Sequence, residues 1–158
     1  MTNSIHVALF QPDQPQNTGT ILRTGACLNV PVHVIEPCGF PFSIKAFRRS
    51  AMDYADLATI HHHDDYTSFT KACRASAQRT VLLTTKADCS FTEFNFQSND
   101  ILIVGSESSG VPSDIHNSAD ARITIPMRPE ARSLNVAVSL AMVLSEAIRQ
   151  TNNFPELL

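Results

Sequence analysis

The chain has 158 residues, of which 43% are hydrophobic and 17% charged, and this balance is typical of a folded globular domain and not of a disordered segment. Twelve Lys and Arg residues oppose fifteen Asp and Glu residues, so the formal net charge is −3. This charge excludes a protein coated with basic residues for nucleic-acid binding, and any contact with RNA must come from a local basic patch.

The first half of the chain alternates β-prone apolar runs with segments of helical pattern. Ile5–Phe10 predicts a strand, Gln11–Gln16 a proline-rich loop, and Thr18–Leu28 a helix that Asn17 or Thr18 could cap. Four further elements are predicted, in this order: a strand at Pro31–Ile35, a helix at Ile44–Arg49, a strand at Leu57–His61 and a helix from His63 to about Ala77.

Two short, continuously apolar runs in the second half, at Thr80–Thr84 and Ile101–Gly105, indicate buried parallel strands. Arg122–Ile125 is another predicted strand, and Leu134–Arg149 follows it as the last predicted helix. This alternation of strands and helices predicts an α/β fold, with a mostly parallel sheet flanked by helices. No change of composition divides the chain, so we expect one domain over residues 1–158.

The last predicted helix is apolar almost all round and not along a single stripe. Such a helix has to be buried on most of its sides. An interface between two subunits can provide that burial in a small domain, and we therefore expect a homodimer. The alternative is a central core helix within a monomer.

No leader or membrane anchor is recognisable in the sequence. Met1–Phe10 has neither a basic leading region nor a cleavage site, and the longest apolar run, Leu134–Leu144, is too short to span a membrane. The four cysteines show no spacing typical of a zinc site. We therefore expect a cytoplasmic protein with reduced thiols, with no metal and no membrane contact.

Ligands of open α/β sheets bind at the carboxyl ends of strands, so the loops after the predicted strands are the candidate sites. In the first of these loops, Asn17–Arg23, a helix begins and Arg23 lies about one turn in, where its side chain can reach back toward the loop. A helix N-terminus beside an arginine can bind an anion. An ordinary helix cap with a surface arginine is the alternative.

The other two candidate loops precede the later helices. Gly105–Pro112 contains two glycines that let the backbone bend and approach a ligand, and Val111 stands where a Walker loop has lysine. Ile125–Asn135 contains two prolines; we expect Ser133 to cap the last helix and Asn135 to lie inside its first turn, facing a polar partner. The alternative for Gly105–Pro112 is a plain loop without a ligand. The alternative for Ile125–Asn135 is a loop whose polar residues only cap the helix and form salt bridges.

Three other features give weaker indications. Lys45, Arg48 and Arg49 form a small basic cluster that could contact phosphate or be a solvated surface. The run His61–His63 resembles a metal-binding tract, but successive residues of a strand point to opposite faces, which disfavours shared ligation. Glu36 ends a strand where a dinucleotide-binding fold has its ribose acid, yet the matching glycine-rich turn is missing, which disfavours a dehydrogenase.

The three loops together resemble the motifs of a known enzyme family. The matching residues are Asn17-x-Gly19-x-x-x-Arg23, Gly105-x-Glu107-x-x-Gly110-Val111-Pro112, and Ile125-Pro126-Met127 followed by Ser133-Leu134-Asn135. In this order and at strand ends, they are similar to the three motifs of the SPOUT RNA methyltransferases. The resemblance narrows to the TrmL (YibK-like) subfamily through Glu36-Pro37-x-Gly39-Phe40, Arg48-Arg49-x-Ala51-x-Asp53-Tyr54 and Leu83-Thr84-Thr85-Lys86.

This resemblance implies an α/β-knot fold with a trefoil knot near the C-terminus, a homodimer, and S-adenosyl-L-methionine as the methyl donor without a metal. It further implies methyl transfer to the ribose 2'-OH of the wobble nucleotide, cytidine or modified uridine, in a tRNA anticodon loop, with a leucine tRNA as the expected substrate. Methylation of ribosomal RNA, and RNA binding without catalysis on the same scaffold, are the alternatives.

The resemblance also assigns residues to roles. Arg23 and Asn135 are implied to be catalytic and to face the transferred methyl group. The residues implied to hold the donor are Leu83, Thr84, Gly105, Glu107, Ile125, Met127, Ser133 and Leu134. The candidate tRNA contacts are Lys45, Arg48, Arg49 and Arg128. Because a guanidinium keeps its proton near neutral pH, we expect Arg23 to anchor a phosphate and stabilise the developing alkoxide, not to act as a base.

Overall fold

A parallel sheet of six strands lies at the centre of residues 4–158, the part of the chain that the computed structural model describes. The strands are β1 (His6–Phe10), β2 (Val32–Ile35), β3 (Ile60–His63), β4 (Arg79–Leu83), β5 (Asp100–Val104) and β6 (Ala121–Ile123). Their order across the sheet is β3-β2-β1-β5-β4-β6, and all neighbouring pairs are parallel. The predicted α/β fold with a mostly parallel sheet is confirmed.

Helices cover both faces of this sheet. They are α1 (Pro15–Leu28), α2 (Ile44–Ala51), α3 (Tyr66–Ala75), α4 (Ser113–Ser118) and α5 (Val136–Gln150), with a short 3-10 turn at Met52–Tyr54 directly after α2. Side chains of a strand alternate between the two faces, so Val7 and Leu9 join the core beneath α1 and α5, while Ala8 and Phe10 join the core beneath α3 and α4.

Three predicted boundaries in the first half are wrong by three residues, and one of them is the start of α3, which is Tyr66 and not His63, because His63 still belongs to β3. Helix α1 begins at Pro15 and not at Thr18, because proline suits the first turn of a helix, where its missing N–H is not needed. The expected cap at Asn17 or Thr18 is therefore wrong, since both residues lie inside the helix. Strand β3 begins at Ile60 and not at Leu57, because the Leu57 amide still donates to a carbonyl of the preceding turn.

Helix α5 buries only one of its sides within a single chain. Leu140, Val143 and Leu144 are fully buried, whereas Val138 and Met142 keep 50% and 39% of their surface exposed. Within one chain, α5 is therefore not buried on most of its sides, and both the expected homodimer and its monomeric alternative stay predictions.

Four histidines form a stack on one face of β1, β2 and β3, which we call the histidine stack (His6, His33, His61 and His63). The two ring nitrogens of His33 lie 2.9 Å from His6 Nδ1 and 2.8 Å from His63 Nε2, and the His61 ring stacks on His33 with centroids 4.6 Å apart. Burial, followed by the neighbouring histidines, lowers the pKa of His33 to about 2. The same causes lower the pKa of His6 to about 4.

His62 lies on the opposite face of β3, 3.2 Å from a carboxylate oxygen of Glu36, which confirms the expected alternation along the histidine run. Within residues 4–158, no group of His, Cys, Asp or Glu is arranged to hold a metal ion, and all four cysteines are free. None of the helices described is long and apolar enough to cross a membrane. The trefoil knot implied by the family resemblance stays a prediction.

Candidate active site

A cleft of about 510 Å³ lies at the carboxyl ends of β4, β5 and β6. Open α/β sheets bind ligands at this edge, and the volume falls in the range of about 300 to 1,000 Å³ typical of cofactor sites. The residues expected to hold the methyl donor all line the cleft: Leu83, Thr84, Gly105, Glu107, Ile125, Met127, Ser133 and Leu134. Asn135, one of the two residues expected to be catalytic, lines it as well.

The loop after β5 is closed by two backbone hydrogen bonds between Ser106 and Gly110. Ser106 N–H donates to the Gly110 carbonyl at 3.0 Å, and Gly110 N–H donates back to the Ser106 carbonyl at 2.8 Å. Gly110 has a φ of +65°, which favours glycine. A Cβ atom at Gly105 would lie 2.6 Å from the Gly110 carbonyl carbon, so the close approach of these two backbones also requires glycine at this position.

Backbone hydrogen bonds hold the loops after β4 and β6 beside each other. Thr84 N–H donates to the Ile123 carbonyl at 2.9 Å. Thr124 N–H donates to the Cys89 carbonyl, and Phe91 N–H donates to the Thr124 carbonyl, each at 2.9 Å. The two loops thus extend the pairing of β4 with β6 and form one wall of the cleft.

A chain of polar side chains joins the three motif loops across the cleft. Asn135 Nδ2 donates to Asn17 Oδ1 at 3.0 Å, and Asn17 Nδ2 donates to Glu107 Oε1 at 3.4 Å. The second oxygen of Glu107 accepts from the backbone N–H of Asp13 at 3.0 Å. These contacts connect residues 90 to 118 positions apart, so the loops are held as one unit.

Glu107 and Asp13 respond in opposite ways to this arrangement. Burial, followed by the hydrogen bond to the Asp13 side chain, raises the pKa of Glu107 above its usual value. Hydrogen bonds with the side chains of Glu107 and Ser108 lower the pKa of Asp13. The pKa values of two nearby carboxyl groups move apart because a proton held on one of them relieves the repulsion between two negative charges.

Asn135 is the N-cap of α5. Its Oδ1 accepts from the backbone N–H groups of Ala137 at 2.9 Å and of Val138 at 3.2 Å. The expectations that Ser133 caps the helix and that Asn135 lies inside the first turn are therefore wrong. Asparagine is among the best N-cap residues, and in this position one side chain satisfies two free N–H groups while its amide nitrogen reaches Asn17.

Arg23, the other residue expected to be catalytic, does not line the cleft. It follows Asn17 by six residues of α1, which places it about 9 Å further along the helix and about 120° round it. Its Nη2 donates to the Tyr54 hydroxyl at 2.8 Å, and its guanidinium carbon lies 4.4 Å from the centre of the Tyr54 ring. The expectation that Arg23 reaches back toward its own loop is wrong, because this aromatic partner holds it elsewhere.

The four candidate tRNA contacts are exposed and lie outside the cleft lining. Lys45, Arg48 and Arg49 are on α2, where Arg48 Nη1 donates to the carbonyl of Ala55 at 3.2 Å. The Arg128 side chain is 90% exposed and lies 3.9 Å from the carboxylate of Glu130. Their positive charge is therefore accessible to a large anionic partner at the surface.

Sequence reasoning did not assign Asn17, Asp13 or Tyr54 to the site. Asn17 and Tyr54 were visible as matches to the family motifs, but nothing in the pattern showed which side chains they contact. Asp13 carried no signal, since it is one acidic residue in a proline-rich loop. All three are recognisable only from the contacts that the fold creates.

The parallel sheet and the cleft at its carboxyl edge define an α/β protein with a cofactor-sized site between three loops. A family model described as the SpoU rRNA Methylase family matches residues 4–145, and the chain belongs to this family. The resemblance to RNA methyltransferases that the motifs indicate is thereby confirmed.

Curated relatives match nearly the whole chain. The chain is 54% identical over 144 residues to a protein of Beijerinckia indica named tRNA (cytidine(34)-2'-O)-methyltransferase, and the match covers 91% of this chain and 90% of that protein. A protein of Ancylobacter novellus with the same name is 46% identical over 151 residues, and the match covers 96% of each chain. An Escherichia coli protein of this name is 36% identical and covers 92% of this chain and 93% of its own.

Solved structures share the fold. One, described as structural insights into the 2-OH methylation of C/U34 on tRNA, has a TM-score of 0.85 and 34% identity, and covers 94% of this chain and 97% of its own. An AdoMet-bound rRNA methyltransferase from Sinorhizobium meliloti has a TM-score of 0.81 and 26% identity, and covers 94% of this chain and 57% of its own.

Proposed function

We propose that this chain is a tRNA 2'-O-methyltransferase that transfers a methyl group from S-adenosyl-L-methionine to the ribose of nucleotide 34, a cytidine or modified uridine, with a leucine tRNA as substrate. One observation carries the proposal: all eight expected donor-binding residues line one cleft, in a chain 54% identical to a relative named for this activity. The whole chain, residues 1–158, would be one catalytic domain acting in the cytoplasm.

The lining of the cleft fits the methyl donor. Leu83, Ile125 and Leu134 supply apolar surface suited to an adenine ring, and the hydroxyls of Thr84 and Ser133 lie among them. The missing Cβ at Gly105 lets two backbone segments approach closely, and such an approach suits a ligand held by main-chain groups.

When bound, the donor would supply an electrophilic methyl carbon, to which the 2'-oxygen would bond as the carbon–sulfur bond breaks with its electrons on sulfur, and the hydroxyl proton would leave to water. Because a sulfonium is already reactive, the chain's main task is to position the acceptor. Asn135 lines the cleft and would orient the ribose. Arg23 would anchor the adjacent phosphate and stabilise the developing alkoxide.

The uncovered apolar side of α5 supports a homodimer. Val138 and Met142 are one helical turn apart, with 50% and 39% of their surface exposed. A second copy of this chain would cover both side chains and exclude water from them. Val138→Glu should dissociate the dimer in sedimentation velocity, whereas wild-type protein that sediments as a monomer at micromolar concentration would contradict the proposal.

The central experiment is methyl transfer from labelled S-adenosyl-L-methionine to native and unmodified leucine tRNA, with ribosomal RNA in parallel. We expect label on the ribose of nucleotide 34. Label on ribosomal RNA alone would favour the rRNA alternative that the family description names. Donor binding in calorimetry without transfer to any RNA would favour a binding protein on the same scaffold.

Two variants test the assigned roles. Arg23→Ala should lower transfer by about 100-fold or more while the Kd for the donor stays within twofold, because losing one stabilising group typically costs that much. Equal losses of transfer and donor affinity would refute this role. Asn135→Ala should lower transfer while the dimer persists, and dissociation in sedimentation would show that Asn135 is structural.

A further inference from the structure

The Tyr54 side chain makes two distinct contacts with Arg23. Its hydroxyl accepts a hydrogen bond from Arg23 Nη2 at 2.8 Å, and its ring lies beneath the guanidinium with 4.4 Å between the guanidinium carbon and the ring centre. A ring and a hydroxyl acting together fix both the tilt and the rotation of the planar guanidinium, which a single hydrogen bond does not.

This contact leaves most of the guanidinium free to bind a substrate. Arginine has five N–H donors, and the Tyr54 hydroxyl accepts from only one nitrogen. Among residues 4–158, no carboxylate lies within ion-pair distance of Arg23. Tyr54 therefore orients the positive charge of Arg23 without neutralising it.

The backbone around Tyr54 is itself fixed. Tyr54 ends the 3-10 turn after α2, and its carbonyl accepts from the N–H groups of Leu57 and Ala58 at 3.1 Å. Met52, which begins the turn, has φ +50° and ψ −113°, a strained combination for a residue with a side chain. Strained backbone of this kind persists where surrounding structure imposes it, and it is frequent at functional sites.

Tyr54 also connects two parts of the proposed site. Arg48, on the basic helix α2, donates from Nη1 to the carbonyl of Ala55, the residue after Tyr54. Tyr54 therefore lies between the exposed basic surface of α2 and the arginine of α1. A tRNA strand bound along α2 would meet Arg23 in the orientation that Tyr54 gives it.

We propose that Tyr54 is a positioning residue for methyl transfer: it holds the Arg23 guanidinium so that its free N–H donors face the acceptor nucleotide. This inference rests on the proposed function and on the role of Arg23 within it. Tyr54 is not expected to contact the methyl donor, since it lies outside the cleft lining.

The test compares Tyr54→Phe and Tyr54→Ala with Tyr66→Phe, which changes the only other tyrosine of the chain, on α3. Tyr54→Phe keeps the ring contact and should lower kcat for tRNA a few-fold. Tyr54→Ala removes both contacts and should lower it about tenfold or more, as misplacement of a reacting group by about 1 Å can cost 100-fold. The KM for tRNA, the Kd for the donor and the melting temperature should stay close to wild type, and Tyr66→Phe should leave kcat unchanged.

A double-mutant cycle separates positioning from a structural role. In an Arg23→Ala background, Tyr54→Phe should have no further effect on kcat, because the group that it orients is gone. If the losses of kcat from Arg23→Ala and Tyr54→Phe multiply in the double variant, the inference is overturned. A raised KM for tRNA at unchanged kcat would overturn it too, since Tyr54 would then be a tRNA contact.

A measurement without RNA keeps the two proposals distinguishable. In NMR spectra of the free protein, the Arg23 Nε–H group should be ordered in wild type and mobile in Tyr54→Ala. Equal mobility in both would overturn the inference whatever the transfer assay shows. An ordered Arg23 in a protein that transfers no methyl group to any RNA would instead refute the proposed function, and the role of Tyr54 in transfer with it.

Discussion

Acidification should destabilise this protein through the histidine stack, and replacing His33 should remove a defined part of that effect. In the folded chain, burial keeps His33 neutral, with a pKa of about 2 against the ordinary 6.5. The unfolded chain therefore binds more protons as the pH falls below 6.5, so the free energy of unfolding decreases with falling pH.

The size of the effect follows from the difference in pKa. At pH 5 the His33 side chain of the unfolded chain lies 1.5 pH units below its ordinary pKa, which corresponds to about 2 kcal/mol of lost stability. His6, with a folded pKa of about 4, should add a smaller loss because it is partly exposed to water. Since single domains are stable by only about 5 to 15 kcal/mol, this change is easily measured.

The assay is urea unfolding at pH 7, 6 and 5, at one fixed protein concentration. In His33→Gln, the decrease in the free energy of unfolding between pH 7 and pH 5 should be about 2 kcal/mol smaller than in wild type. Ile35→Val, on the same strand, is the control: it should lower stability by about 1 kcal/mol equally at every pH. Identical pH slopes for His33→Gln and Ile35→Val would refute the argument. If His33→Gln does not fold, NMR titration of His33 in wild type should show no protonation above pH 4.

Two further substitutions test packing and charge. Gly105→Ala should weaken donor binding and lower the free energy of unfolding by about 1 to 3 kcal/mol, because its Cβ would meet the Gly110 backbone at 2.6 Å. Gly19→Ala should not destabilise the chain, because a Cβ at this position would lie more than 4 Å from any neighbouring atom. Equal urea midpoints for Gly105→Ala and Gly19→Ala would contradict the argument. Asp100→Ala should cost about 2 to 3 kcal/mol, because Arg79 donates to this fully buried carboxylate at 2.6 and 2.8 Å. Glu146→Gln, at a pair whose arginine, Arg149, is exposed, should cost far less, and comparable melting temperatures for the Asp100 and Glu146 variants would show that burial of the pair is not decisive.

The sequence was sufficient to predict the cleft because of a simple geometric rule. Parallel strands present their carboxyl ends at one edge of a sheet, so loops that follow Leu83, Val104 and Ile123 have to meet if those strands are neighbours. The apolar runs indicated the strands, and the glycines and prolines indicated the loops. The local patterns thus indicated the candidate loops, while the assignment of Glu107 and Asn135 to one site came from the resemblance of these loops to the family motifs.

The contacts between loops could not be predicted in the same way. Asp13 meets Glu107 because β1 lies beside β5, and this order across the sheet is not encoded in any local pattern. The direction of Arg23 depends on Tyr54, 31 residues away. The choice of Asn135 over Ser133 as the cap depends on where the chain turns into α5, since both residue types are suited to that position.

The hydrogen bond between Asn135 and Asn17 spans 118 positions of the chain and has a consequence for biosynthesis. Chains grow from the N-terminus, so Asn17 and Glu107 leave the ribosome well before the segment that contains Asn135. A nascent or truncated polypeptide that ends before Ile125 lacks the third loop and the cleft residues on it. The cleft that would hold the methyl donor is thus assembled only after the chain has been synthesised through this third loop.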